Sequence, residues 1–226
     1  MESSEHISIK VEYTFSSGLG AMEEQRYIKA VKATFYSKEN ADDEFCTKRI
    51  GETEFKILDL EMAKIDGYDI FDLFDTNEYT CRHGESFYDF EENDFKPKVY
   101  KHYHDSLING NICLLESIYI IPDYRGLGLG PKLFKDLVLH FSRSASLFIL
   151  QPHPLQFDNS LKSNADKKWY EFDAFEKSDV KAFKKLTSYY ESWGFEKISG
   201  VKDLMFLNAE IVNPKFDLIN VNELKK

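Results

Sequence analysis

From Ile7 to Phe15 the chain alternates as I-x-I-x-V-x-Y-x-F, the two-residue period of a half-buried strand. Ser16 to Gly20 is turn material. Glu23 to Tyr36 supports two readings: Tyr27, Ile28, Val31 and Phe35 fit helical spacing, and YIKAVKATFY fits a strand. Phe55 to Leu60 reads as a short strand. Glu61 to Phe74 reads as partly helical, with Gly67 as its weak point. Val99 to His104 and Ile108 to Cys113 are expected to pair as strands around Asn109-Gly110, a dipeptide suited to a tight hairpin. Ile118 to Ile121 is a β-branched and aromatic run that suits a strand buried on both faces. After a glycine-rich turn, Leu133, Phe134, Leu137, Val138 and Phe141 recur at helical spacing. Ser146 to Leu150 is the next buried strand. Asp179 to Trp193 is a helix with the stripe Val180, Phe183, Leu186, Tyr190 and Trp193, and Gly194 stands where a left-handed cap belongs. Phe195 to Ser199 and Asp203 to Ala209 close the series as strands, and the tail after Asn213-Pro214 is expected to be loosely held.

Strands and helices thus mix along one chain of 226 residues, and no repeat or linker divides it. Residues 1–226 read as a single α/β (α+β) domain. Two segments stand apart. About 61–98 is acidic and aromatic, either a wall of a cation-attracting pocket or a solvated surface; about 155–178 is a polar insertion with Trp169, Tyr170, Phe172 and Phe175, read as a loop or lid. The net charge of −10 leaves no basic stripe to neutralise phosphates, so nucleic acid is not an expected partner. The start MESSEHISIK has no apolar signal core, and no apolar run reaches the roughly 18 residues of a membrane span. A cytoplasmic protein without a membrane partner is the expectation, and oligomeric state is not readable. Cys46, Cys81 and Cys113 form neither a disulfide framework nor a zinc pattern. His102 and His104 share a face if extended but have no third ligand, so no metal is expected.

The chemistry concentrates in Leu114 to Arg143. A strand breaks at Pro122, turns through Arg125-Gly126-Leu127-Gly128-Leu129-Gly130 and becomes the amphipathic helix. Glycine removes β-carbons from a ligand's path and permits positive φ. Free N–H groups and the positive end of the helix dipole then favour an anion. Arg125 adds forked donors at the same mouth. A P-loop is excluded, because Gly130 is followed by Pro131 and Lys132 by Leu133; a dinucleotide fingerprint is excluded for want of its third glycine.

What remains, Arg125-x-x-Gly128-x-Gly130 after the strand LESIYIIPDYRG, resembles the central motif of the GNAT acyltransferase superfamily. Tyr190-x-x-x-Gly194-Phe195 is similar to that family's closing helix-to-strand phrase. The resemblance covers about 114–209 and extends to the N-terminal half only by strand placement. It implies a mixed, mostly antiparallel central sheet, splayed between its fourth and fifth strands and flanked by helices. It also implies an N-acetyltransferase that moves an acetyl group directly from acetyl-CoA to an amine. The acceptor, whether a small molecule or a peptide or protein amine, is left open.

By this resemblance the diphosphate of coenzyme A sits on Arg125, Gly126, Leu127, Gly128, Leu129 and Gly130, and Ile118, Tyr119 and Ile120 run beside its pantetheine arm. A backbone N–H at a strand bulge near Ile120 polarises the thioester. A lysine-like amine is charged at neutral pH, and neutralising it costs about 4–5 kcal/mol, so a base is required. Glu116, a carboxylate within an apolar strand, is the candidate, with an ordered water or His153 as alternatives. Tyr190 is the candidate acid for the departing thiolate, with Tyr189 beside it. Two other classes stay open: a non-catalytic acyl-CoA-binding module with the same cradle, and a nucleotide-binding protein of different fold.

Overall fold

The computed structural model describes residues 7–16, 23–40, 43–76, 78–103, 109–158 and 169–222. Ser17 to Gly20, His104, Ile108 and the middle of the 155–178 insertion lie outside them. Six strands form the main sheet: β1 (Ile9–Phe15), β2 (Ile28–Ser37), β3 (Lys48–Leu58), β6 (Ile112–Ile120), β7 (Leu147–Leu150) and β8 (Met205–Asn208), in that spatial order. All neighbours are antiparallel except β6 and β7, which run parallel. Between β3 and β6 lie α1 (Leu60–Ile65), α2 (Ile70–Asp75), α3 (Glu78–Phe87), a two-residue hairpin of β4 (Tyr88–Asp89) and β5 (Asp94–Phe95), and α4 (Pro97–His102). α5 (Leu129–Phe141) links β6 to β7, α6 (Asp179–Ser192) precedes β8, and α7 (Pro214–Asp217) follows it.

Each face of the sheet is buried by its own set of helices. On one face Leu58, Ile112, Leu114, Leu147, Ile149 and Phe206 pack against Leu60, Ile70, Leu73, Phe74, Phe87, Phe95 and Val99. On the other, Phe55, Ile57, Cys113, Leu115, Phe148, Leu150 and Leu207 meet Phe134, Leu137, Val138, Tyr190 and Trp193. Every residue from Ile112 to Leu115 and from Leu147 to Leu150 is therefore buried, the two-sided burial that a central parallel pair requires.

The aromatics of the acidic segment supply one of these covers, with Phe74, Phe87, Tyr88, Phe90 and Phe95 in mutual edge and stacking contact. Asp59 and Asp69 cap α1 and α2, accepting from the amides of Met62 and Phe71. Gly67 ends the first of these turns with φ of 74°.

Several expectations change. The Glu23–Tyr36 ambiguity resolves as one 3-10 turn (Glu23–Arg26) followed by a strand. Val99 to His102 is helical, not extended: Pro97 opens α4, and Val99 and Tyr103, four residues apart, are both buried. Asn109 and Gly110 do not join a hairpin; the Asn109 carboxamide oxygen accepts from the Ser146 amide and the Gly110 amide donates to Glu61. Of the expected closing strand pair, only a single bridge, Glu196 to Phe206, accompanies β8. The α6 stripe holds at Tyr190 and Trp193 and fails at its start, where Val180 is 78% exposed and Ala182 faces inward instead. The tail is docked: Phe216 is buried, Lys135 donates to the carbonyls of Phe216 and Asp217, and the Asn213 side chain bonds the Gly194 carbonyl. No described helix is long and apolar enough to cross a membrane.

Candidate functional site

The turn between β6 and α5 alternates in exposure as it does in sequence. Leu127 packs against the core and Leu129 is buried, pinning the backbone, while Gly126 and Gly128 face outward. Their φ values are 76° and 68°, and a β-carbon built on either would meet open space. Glycine is thus required by conformation at both positions, and the space beside each is free for a ligand. Gly128 is the N-cap of α5, and no side chain caps that helix. The amides of Leu129 and Gly130 in its first turn have no side-chain cap and stand at the positive end of a 13-residue helix, the kind of helix start that favours an anion; Pro131 contributes no N–H.

Gly130 is glycine for a different reason. An added β-carbon would stand 2.6 Å from the Tyr189 hydroxyl and 2.9 Å from Cζ2 of Trp193, whose ring is 1% exposed. Gly130→Ala is expected to lose about 1–3 kcal/mol of stability through overpacking, read as a lowered thermal midpoint.

Arg125 does not stand free at the mouth. Its Nε donates to the Ile120 carbonyl at 2.7 Å, and its guanidinium lies 4.0 Å from the Phe175 ring centre and 5.3 Å from that of Tyr119. Burial weakens its hold on its proton, with Tyr119 opposing that shift. The described C-terminal part of the insertion packs on the strands beside this turn. Tyr119 donates to the Trp169 carbonyl, Tyr170 bonds Glu52, and Arg49 stacks on Trp169. Ile118 and Ile120 lie on the opposite face of β6, against the α5 side of the core. The side chains of residues 118–120 thus do not line one channel; they share only the strand edge.

That edge opens at Glu116. Pairing of β6 with β7 ends at Leu115 and Leu150, although β6 continues to Ile120. The register with β3 also shifts here, Phe55 facing Leu115 and Glu54 facing Ser117, so Glu116 is the bulged residue. The bulge expected near Ile120 is absent there, since Ile120 pairs regularly with Gly51. The bulge turns Glu116 out of the apolar strand into an open groove, where its carboxylate meets Lys56 Nζ at 2.7 Å. Burial in an apolar setting, the ground on which Glu116 stands out in the sequence, is not its condition.

The groove has a volume of about 430 Å³ and is lined by Thr14, Phe15, Lys32, Glu54, Lys56 and Glu116 among others. Lys32 bridges Glu52 and Glu54 at 2.7 and 3.0 Å, and Arg49 also pairs with Glu52. Burial pushes the Glu52 carboxyl up, but Lys32, Arg49 and Tyr170 outweigh it and hold the group below the ordinary range. Glu54 escapes the sequence reading because β3 begins at Lys48, ahead of the run that starts at Phe55, and the alternation Glu52, Glu54, Lys56 is the signal that marks it. Lys56 lies within that run and Lys32 within β2, and only the pairing of the strands brings them to one groove. None of the described acidic residues of 69–96 lines the groove.

The two candidate tyrosines separate. Tyr190 is 8% exposed in the cluster that includes Leu115 and Leu150, against Trp193 and Phe195. Tyr189 is 44% exposed, and its hydroxyl lies at Gly130. Burial raises both above the usual phenol range, with Trp193 opposing the rise at Tyr189 and the Tyr189 charge adding to it at Tyr190. His153 is exposed beyond β7. His102 pairs with Glu196 at 2.8 Å, and no group of three metal-ligating side chains occurs among the described residues. Comparison of the chain with protein-family models, curated proteins and solved structures returns no match.

Proposed function

We propose that the protein is a GNAT-type N-acetyltransferase that moves an acetyl group from acetyl-CoA to an amine. One observation carries the reading: a single strand, β6, bears a carboxylate at the point where it parts from β7 and an uncapped, glycine-lined helix N-terminus at its end. From Glu116 to Ile120 the strand runs about 13 Å, so an extended cofactor anchored by its diphosphate on the glycine turn would lie along the unpaired edge and bring its thioester to the fork.

In this reading Glu116 takes a proton from the ammonium. The neutral nitrogen attacks the thioester carbonyl, the C–N bond forms and the C–S bond breaks. The nitrogen's surplus proton passes to solvent, and the departing thiolate takes a proton from a tyrosine hydroxyl, which solvent then restores. Tyr190 is assigned that role because it belongs to the cluster of Leu115 and Leu150, the last pair before the fork. A phenol is protonated at neutral pH, as a donor must be, and burial raises Tyr190 further, so it yields its proton only where the thiolate meets it directly.

The test is thiol release from acetyl-CoA across a diverse amine panel, with cofactor binding measured separately by calorimetry. Binding without release for any amine would leave the acyl-CoA-binding module as the better description. Tyr190→Phe is expected to lower kcat by about 10²–10⁴ with cofactor affinity retained, while Tyr189→Phe keeps kcat. The reverse pattern moves the acid to Tyr189.

A further inference from the structure

We infer that the acceptor in the β1–β2–β3–β6 groove is a small zwitterionic amine of the α-amino-acid type. This rests on the acyl-transfer reading and names the substrate of the same site. The groove's charged lining consists of two cation–anion pairs, Lys32 with Glu54 and Lys56 with Glu116. Lys56 stands two residues from Glu54 on the same face of β3, so the pairs are about 7 Å apart along the strand. Among the described residues, as many cations as anions line the walls.

A polyamine or a lysine side chain that takes Glu116 offers nothing to Lys56, which is left without its partner, a loss that disfavours such ligands. An α-amino acid carries its ammonium and carboxylate on one carbon, a spacing that suits side chains 2.7 Å apart. Its carboxylate takes Lys56 and its ammonium takes Glu116, so each ion keeps a partner of opposite sign. The exchange also delivers the amine to the carboxylate at the strand fork, where transfer requires it. With Lys56 and Glu116 side chains 21% and 27% exposed, both are partly withdrawn from water, which strengthens charge-assisted contacts. A groove of about 430 Å³ is in the range of small-molecule sites.

The experiment compares free amino acids, their amides and the amines left by decarboxylation, using thiol release from acetyl-CoA with the full chain. Free acids are expected to exceed their amides in kcat/KM by about tenfold or more, the loss of one charge-assisted contact. Lys56→Met is expected to bring that ratio close to one, with circular dichroism checking its fold. Amides or decarboxylated amines that react as well as free acids overturn the inference and leave the transferase reading intact. If no amine releases thiol and calorimetry detects no cofactor, the transferase reading fails instead. NMR titration of the same acids and amides then decides the groove: preference for the acids, lost in Lys56→Met, upholds zwitterion binding, and equal binding overturns it.

Discussion

Gly128→Val is expected to abolish coenzyme A binding while leaving the protein folded. A left-handed conformation costs an L-residue about 1–2 kcal/mol, and a β-branched one more, because its side chain crowds the following carbonyl. The valine would also place its methyl groups in the open space beside the turn. Loss of two charge-assisted amide contacts corresponds to about 10²–10⁴ in affinity. The strain itself lowers the thermal midpoint by only about 2–4 °C per kcal/mol for a chain of this size. Calorimetry separates the two effects. A Gly128→Val protein that binds coenzyme A normally would place the diphosphate elsewhere and remove the basis for acyl transfer.

The second large effect is expected from Glu116→Gln. The amide keeps the shape and loses the base, so kcat should fall by about 10²–10⁴ at neutral pH with cofactor affinity unchanged. The sign of the pH response gives the sharper check. In the variant the amine must lose its proton to solvent, and the neutral fraction rises about tenfold per pH unit below the amine's own pKa. The variant's rate should climb steeply with pH where the parent's is flatter, and the gap should narrow. A parallel pair of profiles would show that Glu116 takes no proton. Stability should change little, because the Lys56 pair is partly solvated and such pairs contribute about 0–1 kcal/mol.

These two residues differ in how far the chain alone reveals them. The glycine turn is legible because its causes are local: Gly126 and Gly128 need positive φ, Leu127 and Leu129 need burial, and Pro131 suits a first helical turn. Even there, the reason for Gly130 is not local, since Tyr189 and Trp193 approach it from a helix about sixty residues later in the chain. Glu116 draws notice in sequence as a charge inside an apolar strand. Its setting depends on a register shift against β3, which no feature of β6 alone specifies. The misread α4 has the same origin: VYKHYH carries strand-like residues, and burial of Val99 and Tyr103 against the sheet selects the helical period.

By itself the sequence determined the strand–turn–helix cradle, the β1, β7 and α6 segments and the candidate carboxylate and tyrosines, because hydrophobic period, glycine and proline act over a few residues. Tertiary structure alone decided the sheet order, the point where β6 parts from β7, the folding of Arg125 back under Phe175, and the assembly of Lys32, Glu54, Lys56 and Glu116 around one groove. Those depend on which strand lies beside which and in what register. Pairings over such sequence separations are fixed by the packing of the whole sheet and leave no local mark on the residues they join.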